Sequence, residues 1–226
     1  MQIDMRVMEL LSSKLCHDLV SPVSAINNGV ELIEDIGGAV MDEAIKLISD
    51  SGGTAARRLK MYRLTYGRAG SETSLDVKDV KLIAEQYLEK TKISLVWPEG
   101  LPSAAMAERK GFFKTLLNLI ILGEESLAYG GVITLRNLKA EGDEEGCRVE
   151  VVGRNVSLNL QLQEALEGSA SIEELSPRSV HSYVTGRFAE YFGFKLVHDH
   201  SIPDRLDLLL TPKKDEEAGM QSVKVS

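Results

Sequence analysis

Two apolar stripes at helical spacing, separated by Gly37-Gly38, fill the first seventy or so residues and leave this part of the chain few ways to fold. At about 100° per residue, Met8, Leu11, Leu15, Leu19, Ile26, Val30 and Ile33 fall on one side of a helix running from about Asp4 to Asp35. After the glycine break, a second helix is expected from about Val40 to Tyr66, with Ala44, Leu47, Ser51, Ala55, Leu59 and Tyr62 along one side. Gly52 and Gly53 sit inside it and each costs up to ~1 kcal/mol relative to alanine. The second helix is therefore expected to depend on packing, with the small residues marking a close approach of helices. A two-helix hairpin has too little interior to stand alone, and a second copy would complete a four-helix bundle.

The remaining chain changes pattern. Gly67 to Ser74 reads as a linker, and beyond it short strand-like and helix-like segments alternate. Strands are expected at Leu75–Val77, Ile93–Trp97, Val132–Leu138, Cys147–Gly153, Lys195–His200 and Leu206–Thr211. Helices are expected from Lys78 to Lys90, from about Arg109 to Leu127, and from Arg178 to Phe192. This mixed order suits an α+β sandwich with helices on one sheet face. The expected organisation is thus an α then α+β chain: a hairpin over residues 1–68, a sandwich over 74–212, and a flexible polar tail over 213–226.

A net charge of -8 argues against nucleic acid as the main ligand, because most of the surface would repel a phosphate backbone. Cys16 and Cys147 are far apart and not in a metal-ligand spacing, so a reduced, cytoplasmic setting is the simplest reading. The start of the chain lacks a basic region followed by an apolar run, and the most apolar stretch, Leu116 to Leu122, is far shorter than the ~20 residues that span a bilayer. Neither a secretory signal nor a membrane segment is expected.

The chemistry is concentrated on the first helix. His17 lies opposite the apolar stripe, with Lys14, Ser21, Ser24 and Asn28 near its meridian. A neutral imidazole has one ring nitrogen available to attack phosphorus, and attack improves when an acceptor holds the proton on the other nitrogen. Asp18, next in sequence, is the candidate for that acceptor. Ser21, one turn on, could hydrogen-bond a phosphoryl oxygen or a water. Lys14, one turn back, could offer positive charge to the transferred group. Pro22 removes a backbone hydrogen bond just after the site.

The string His17-Asp18-Leu19-Val20-Ser21-Pro22 resembles the H-box of two-component histidine kinases, His-Glu/Asp-Leu-Arg-Thr-Pro, with Val20 where an arginine usually stands. The hairpin resembles their dimerisation and histidine-phosphotransfer domain, and the later segment resembles their ATP-binding domain. The resemblance implies phosphorylation of His17, a dimeric four-helix bundle, and exchange of the phosphoryl group with an aspartate on a receiver domain.

The nucleotide motifs depart from that pattern. Where kinases carry Asn-Leu-x-x-Asn-Ala, this chain has Asn118-Leu119-Ile120-Ile121-Leu122-Gly123, and a leucine cannot ligate a hard cation that demands oxygen donors. Where they carry Asp-x-Gly-x-Gly, it has Gly153-Arg154-Asn155-Val156-Ser157. The glycine loop that cradles phosphates with backbone N–H groups corresponds to Ser179 to Val184, which contains no glycine.

A retained H-box beside degenerate nucleotide boxes is similar to the ChpT-type histidine phosphotransferases of alphaproteobacterial phosphorelays, over residues 1 to about 212. That resemblance implies a homodimer taking a phosphoryl group from the receiver domain of a hybrid histidine kinase onto His17. The group would then pass to the aspartate of one or more response regulators. Magnesium would sit on the receiver, so the chain needs no cofactor or metal of its own. Other readings of the same residues are a kinase with an atypical nucleotide site, or a receiver-binding phosphatase module in which Ser21 or Asp18 orients a water.

A receiver brought to His17 would pack near Ser24, Asn28 and Glu31 of the first helix, with Arg57, Lys60 and Met61 of the second adding contacts. Elsewhere, His198 and His200 alternate on one strand face but lack a third ligand, so a structural or surface role is expected. His181 has no carboxylate partner suggested by spacing, and the same reading applies. Cys16 points about 100° away from His17 and is expected at the dimer seam. The acidic run Glu141 to Glu145 is expected to be a solvated hairpin turn.

Overall fold

The computed structural model describes residues 4–36, 40–71, 75–139 and 145–213. The Gly37-Gly38 break, most of the acidic turn and the tail after Lys213 lie outside the described residues. Two long helices open the chain, α1 (Met5–Ile36) and α2 (Met41–Thr65). Asp42 and Glu43 in the first turn of α2 and Arg63 in its last turn match the sign of the helix dipole at each end. The pair is antiparallel: Asp18 meets Arg58 and Tyr62, while Gly29 meets Ala44 and Ile48.

The close approach falls at Gly29, where an added Cβ would lie 2.6 Å from Ile48 Cγ1 and 3.2 Å from the Ala44 carbonyl oxygen. Gly52 is not such a point within the chain, since a Cβ there would meet nothing nearer than Ile26 Cδ1 at 4.0 Å. The expected apolar stripe also divides. Val7 and Leu15 pack onto the rest of the molecule, Pro22 and Gly29 are buried in α1, and Met8 and Val30 stay exposed.

After a 3-10 turn at Arg68–Ser71 come α3 (Val77–Leu88), β1 (Ile93–Val96), α4 (Ala104–Ala107) and α5 (Phe112–Ser126). They are followed by β2 (Gly131–Lys139), β3 (Glu145–Val152), α6 (Leu160–Glu167), α7 (Val180–Tyr191), β4 (Phe194–Asp199) and β5 (Arg205–Pro212). The expected strand at Leu75–Val77 does not form. Asp76 accepts a hydrogen bond from the Lys78 amide at 2.7 Å and caps α3 instead. Two helices, α4 and α6, were not expected. Asn159 caps α6 by accepting from the Leu162 amide, and Gly168 stops it with φ +76°.

The sheet runs β1-β2-β3-β5-β4, parallel between β1 and β2 and antiparallel elsewhere. One face is apolar: Ile133, Leu135, Cys147, Val149, Val151, Leu206, Leu208 and Leu210 are fully buried. Against it lies α5, buried all round from Phe112 to Gly123, as expected of a helix apolar on every side. A Cβ at Gly123 would lie 3.0 Å from Val151 Cγ2, so helix and sheet approach closely there. The opposite sheet face carries a charge ladder in which Asp207 accepts from Arg148 at 2.6 and 3.0 Å and from Arg205 at 3.0 Å.

The hairpin is built into the sandwich. Met61, Tyr62 and Leu64 of α2 belong to the same core as Val80, Leu116 and Ile133. Lys114 donates to the carbonyls of Thr65 (3.2 Å) and Gly67 (2.6 Å), and Asn118 donates to Thr65 as well (3.1 Å). At the start of α1, Arg6 donates to the carbonyls of Ile172, Glu173 and Leu175, and Val7 packs with Ala165, Leu175, Val180 and Val184. The two ends of the hairpin nearest the sandwich are therefore clamped, one by apolar burial and the other by a guanidinium.

Candidate functional site

His17 projects from the middle of α1 with its side chain 91% exposed. It borders a cleft of about 400 Å³ between the two helices, with Asp18, Ser21, Asp50, Thr54 and Arg58 among its walls. A second, polar groove of about 730 Å³ runs from His17 and Lys14 to Glu125, Asn159, Gln161, Ser176 and Arg178 of the sandwich. The imidazole thus stands on a ridge between two grooves, reachable by a folded partner from either side.

Asp18 is held from several directions. Its Oδ2 accepts from the Tyr62 hydroxyl at 2.7 Å and lies 3.5 Å from Lys14 Nζ. Its Oδ1 lies 3.6 Å from His17 Nδ1 and 3.8 Å from Arg58 Nη1, and Arg58 also donates to the Asp18 carbonyl at 3.1 Å. One carboxylate oxygen is engaged and the other faces the imidazole. At 3.6 Å this is a charge contact rather than a hydrogen bond. A small rotation of the exposed ring would close it and leave Nε2 directed outward.

Lys14 shares the second groove with His17 but is absent from the walls of the cleft between the helices. Its ammonium is 2.7 Å from Glu125 Oε1, and its side chain is only 16% exposed. Burial pulls its pKa down, but Glu125 and Asp18 outweigh burial and raise it above the ordinary lysine value. Glu125 sits between Lys14 and His181, since its Oε2 lies 2.8 Å from His181 Nδ1. Burial pushes its carboxyl up, but His181 and Lys14 hold it down at about 2. Burial first, and then the Asp18 hydrogen bond, push the Tyr62 hydroxyl well above the usual phenol range, so it is a fixed donor.

His181, expected to lack a carboxylate partner, has one in Glu125 and is fully buried. Its Nε2 lies 3.2 Å from Asn118 Oδ1, while the Asn118 amide nitrogen donates to Thr65 and Lys114 carbonyls. Both ring nitrogens therefore face side-chain oxygens inside the buried interior. His181 is a polar anchor inside the sandwich, and sequence spacing gave no hint of it.

The other expected site residues fall unevenly. Ser21 is exposed on the cleft wall beside His17. Ser24, Asn28 and Glu31 are exposed further along α1. Arg57 and Lys60 do not join them. The antiparallel register that sets Asp18 against Arg58 and Tyr62 puts Arg57 and Lys60 near His17's own level or toward the sandwich. Arg57 is also drawn to Glu89 at 3.6 Å. Met61 is fully buried in the main core, so it offers no contact to a docking partner. The α2 residues that line the cleft are instead Asp50, Ser51, Thr54 and Arg58.

Leu122, at the position of the missing second asparagine, is fully buried, and Asn118 is committed to Thr65, Lys114 and His181. His198 pairs with Glu167 at 2.9 Å and His200 Nδ1 donates to the Arg205 carbonyl at 2.8 Å, so the two do not share a ligand. Among the described residues no group of three or more His, Cys, Asp or Glu side chains could hold a metal ion. Cys16 is exposed on an outward strip with Leu19, Val20 and Val23, and Cys147 is buried in β3. No helix among the described residues is long and apolar enough to cross a membrane.

A helical hairpin presenting one histidine with a tethered carboxylate, fused to an α/β sheet domain, is the frame of a protein that carries a group on imidazole. The chain belongs to the histidine phosphotransferase family: residues 77–201 match the model of the histidine phosphotransferase C-terminal domain. Protein phosphotransferase ChpT of Brucella abortus (strain 2308) is 35% identical over 190 residues, which is 83% of this chain and 87% of that protein. A solved structure described as a bacterial phosphotransferase superposes with a TM-score of 0.73 at 28% identity, over 93% of this chain and 98% of its own.

Proposed function

We propose that the protein is a phosphorelay intermediate that carries a phosphoryl group on His17 Nε2. The group arrives from the receiver domain of a hybrid histidine kinase and leaves to the receiver aspartate of one or more response regulators. The observation that carries this reading is the contrast between a 91% exposed His17 and the engaged Asp18 beside it. In the forward step Nε2 attacks phosphorus, an N–P bond forms, and the O–P bond to the receiver aspartate breaks. The ring then bears positive charge, and its Nδ1–H turns to Asp18 Oδ1. Reversal of the same step delivers the group to the next aspartate. Ser21, on the cleft wall, offers a hydroxyl to a phosphoryl oxygen. Magnesium belongs to the receiver in this scheme, and the sandwich binds no nucleotide.

The receiver sits over the His17 cleft, on Ser24, Asn28 and Glu31 of α1 and on Asp50 and Thr54 of α2. The polar groove toward Asn159, Gln161, Ser176 and Arg178 gives it a second contact surface. The chain acts as a homodimer. Exposed Val20, Val23 and Val30 on α1, with Met41, Ile45 and Leu59 on α2, form an apolar outer face that a second hairpin would cover.

The test is transfer of label. Purified protein is incubated with a labelled phospho-receiver or with labelled ATP and magnesium, beside His17→Ala. Acid-labile label from the receiver alone, absent in His17→Ala, is expected. Label taken directly from ATP would make the protein a kinase, and loss of receiver phosphate with no labelled protein would make it a phosphatase.

A further inference from the structure

Asp18 is coupled to the sandwich by a chain of charges that crosses from α1 to the buried interior. His181 on α7 holds one oxygen of Glu125 at 2.8 Å, and the other oxygen holds Lys14 at 2.7 Å. Lys14 in turn stands 3.5 Å from Asp18 Oδ2, which also takes the Tyr62 hydroxyl at 2.7 Å. The two distances from the ammonium are unequal, and that inequality matters. Glu125 takes the short contact and keeps most of the ammonium's charge away from Asp18.

The consequence follows from competition. An ammonium seated fully on Asp18 would neutralise the carboxylate and weaken it as an acceptor for the His17 Nδ1 proton. Held off by Glu125, the ammonium orients Oδ2 from a distance and leaves Oδ1 to be shared by the ring at 3.6 Å and the Arg58 guanidinium at 3.8 Å. Glu125 is itself fixed at both oxygens, so it cannot relax toward solvent.

We infer that Glu125 is a positioning residue for phosphoryl transfer: by holding Lys14 at the sandwich it sets the orientation and acceptor strength of Asp18, and through Asp18 the tautomer of His17. The inference rests on the phosphotransfer reading above. It also assigns work to the sandwich, which becomes a built-in part of the transfer site in place of a nucleotide-binding unit. Attack by Nε2 proceeds as already described, and no extra reactant is needed. What changes is how well the Nδ1 proton is held as the ring becomes positive.

The experiment compares Glu125→Gln and Glu125→Asp with the wild type in single-turnover transfer from a labelled phospho-receiver at increasing receiver concentration. Glu125→Gln is expected to lower the maximal rate about tenfold, as misplacement of a reacting group does, with half-saturation unchanged. Glu125→Asp is expected to recover part of that rate. In 15N spectra of the unphosphorylated protein, Glu125→Gln is expected to shift His17 away from the Nδ1–H tautomer. A wild-type maximal rate in folded Glu125→Gln, or a change confined to half-saturation, would overturn the inference. If Glu125→Gln fails to fold, Lys14→Met removes the ammonium that Glu125 holds off Asp18: His17 is then expected to keep the Nδ1–H tautomer, and a shift away from it would overturn the inference. An unlabelled wild type would remove the phosphotransfer reading itself, and the tautomer measurement would then judge Glu125 alone.

Discussion

Asp18 has two oxygens in different company, and the difference decides what the site can do. Oδ2 is engaged by Tyr62 and Lys14, whereas Oδ1 faces the imidazole and the Arg58 guanidinium without a short hydrogen bond to either. The acidic partner His17 requires could be read from the sequence, because it is the adjacent residue. The groups that fix it could not: Tyr62 lies 44 positions away, and Glu125 reaches the site through Lys14. Glu125 also gives the site a signature in stability. Its ordinary pKa of 4.5 falls to about 2 in the folded chain, so folding favours the ionised form. That contribution is present above about pH 4.5 and is lost as pH falls toward 2. Denaturant titrations between pH 5 and pH 2 are expected to show a steeper loss of stability for the wild type than for Glu125→Gln. Equal slopes would mean that the ion pairs of Glu125 do not discriminate between folded and unfolded chains.

At the scale of elements, the long helices were legible because period and breaks agree over many residues. The short ones were not. Four-residue α4 carries too few positions to show a period, and eight-residue α6 spans barely two turns, so its Asn159 cap and Gly168 stop are its clearest local signals. Leu75–Val77 looked strand-like from its apolar residues, yet Asp76 between them works as a helix cap. Glycines behaved the same way: their presence was plain and their purpose was not. Gly186 in α7 lets Leu166 of α6 approach, since a Cβ there would lie 1.9 Å from the Leu166 carbonyl oxygen. Gly53 in α2 would meet only the end of the long Arg57 side chain, at 3.1 Å. Gly186→Ala is therefore expected to lower the melting temperature markedly, while Gly53→Ala is expected to gain about 0.5–1 kcal/mol from helix propensity. Thermal and denaturant unfolding of the two variants checks the contrast, and equal responses would contradict the packing described for α6 and α7.

For the whole molecule, the key fact is that the hairpin and the sandwich share one core. Met61, Tyr62 and Leu64 are buried among residues of α3, α5 and the sheet. A fragment ending near residue 71 would expose them, so removing the sandwich tests folding as well as function. The outward face of the hairpin is different, because Val20, Val23, Val30 and Leu59 remain exposed. With the hairpin acting as half of a four-helix bundle, the wild type is expected to sediment as a dimer. Val23→Glu is expected to shift it toward monomer with unchanged circular dichroism, because a carboxylate would be buried in the seam. A monomeric wild type would refute the bundle.

The sequence by itself determined the parts that depend on local order: two amphipathic helices, a histidine set opposite the apolar stripe, its neighbouring carboxylate, and a mixed sandwich to follow. These are set by period, caps and adjacency, which act within a few turns of chain. Tertiary structure decided what lies across those turns. It buried Met61, moved the cleft walls to Asp50 and Thr54, and paired Lys14 with Glu125. It also set His181 between two side-chain oxygens. Those outcomes depend on which faces meet when the hairpin docks on the sandwich. Side chains far apart in sequence become electrostatic partners only after burial has removed the water between them.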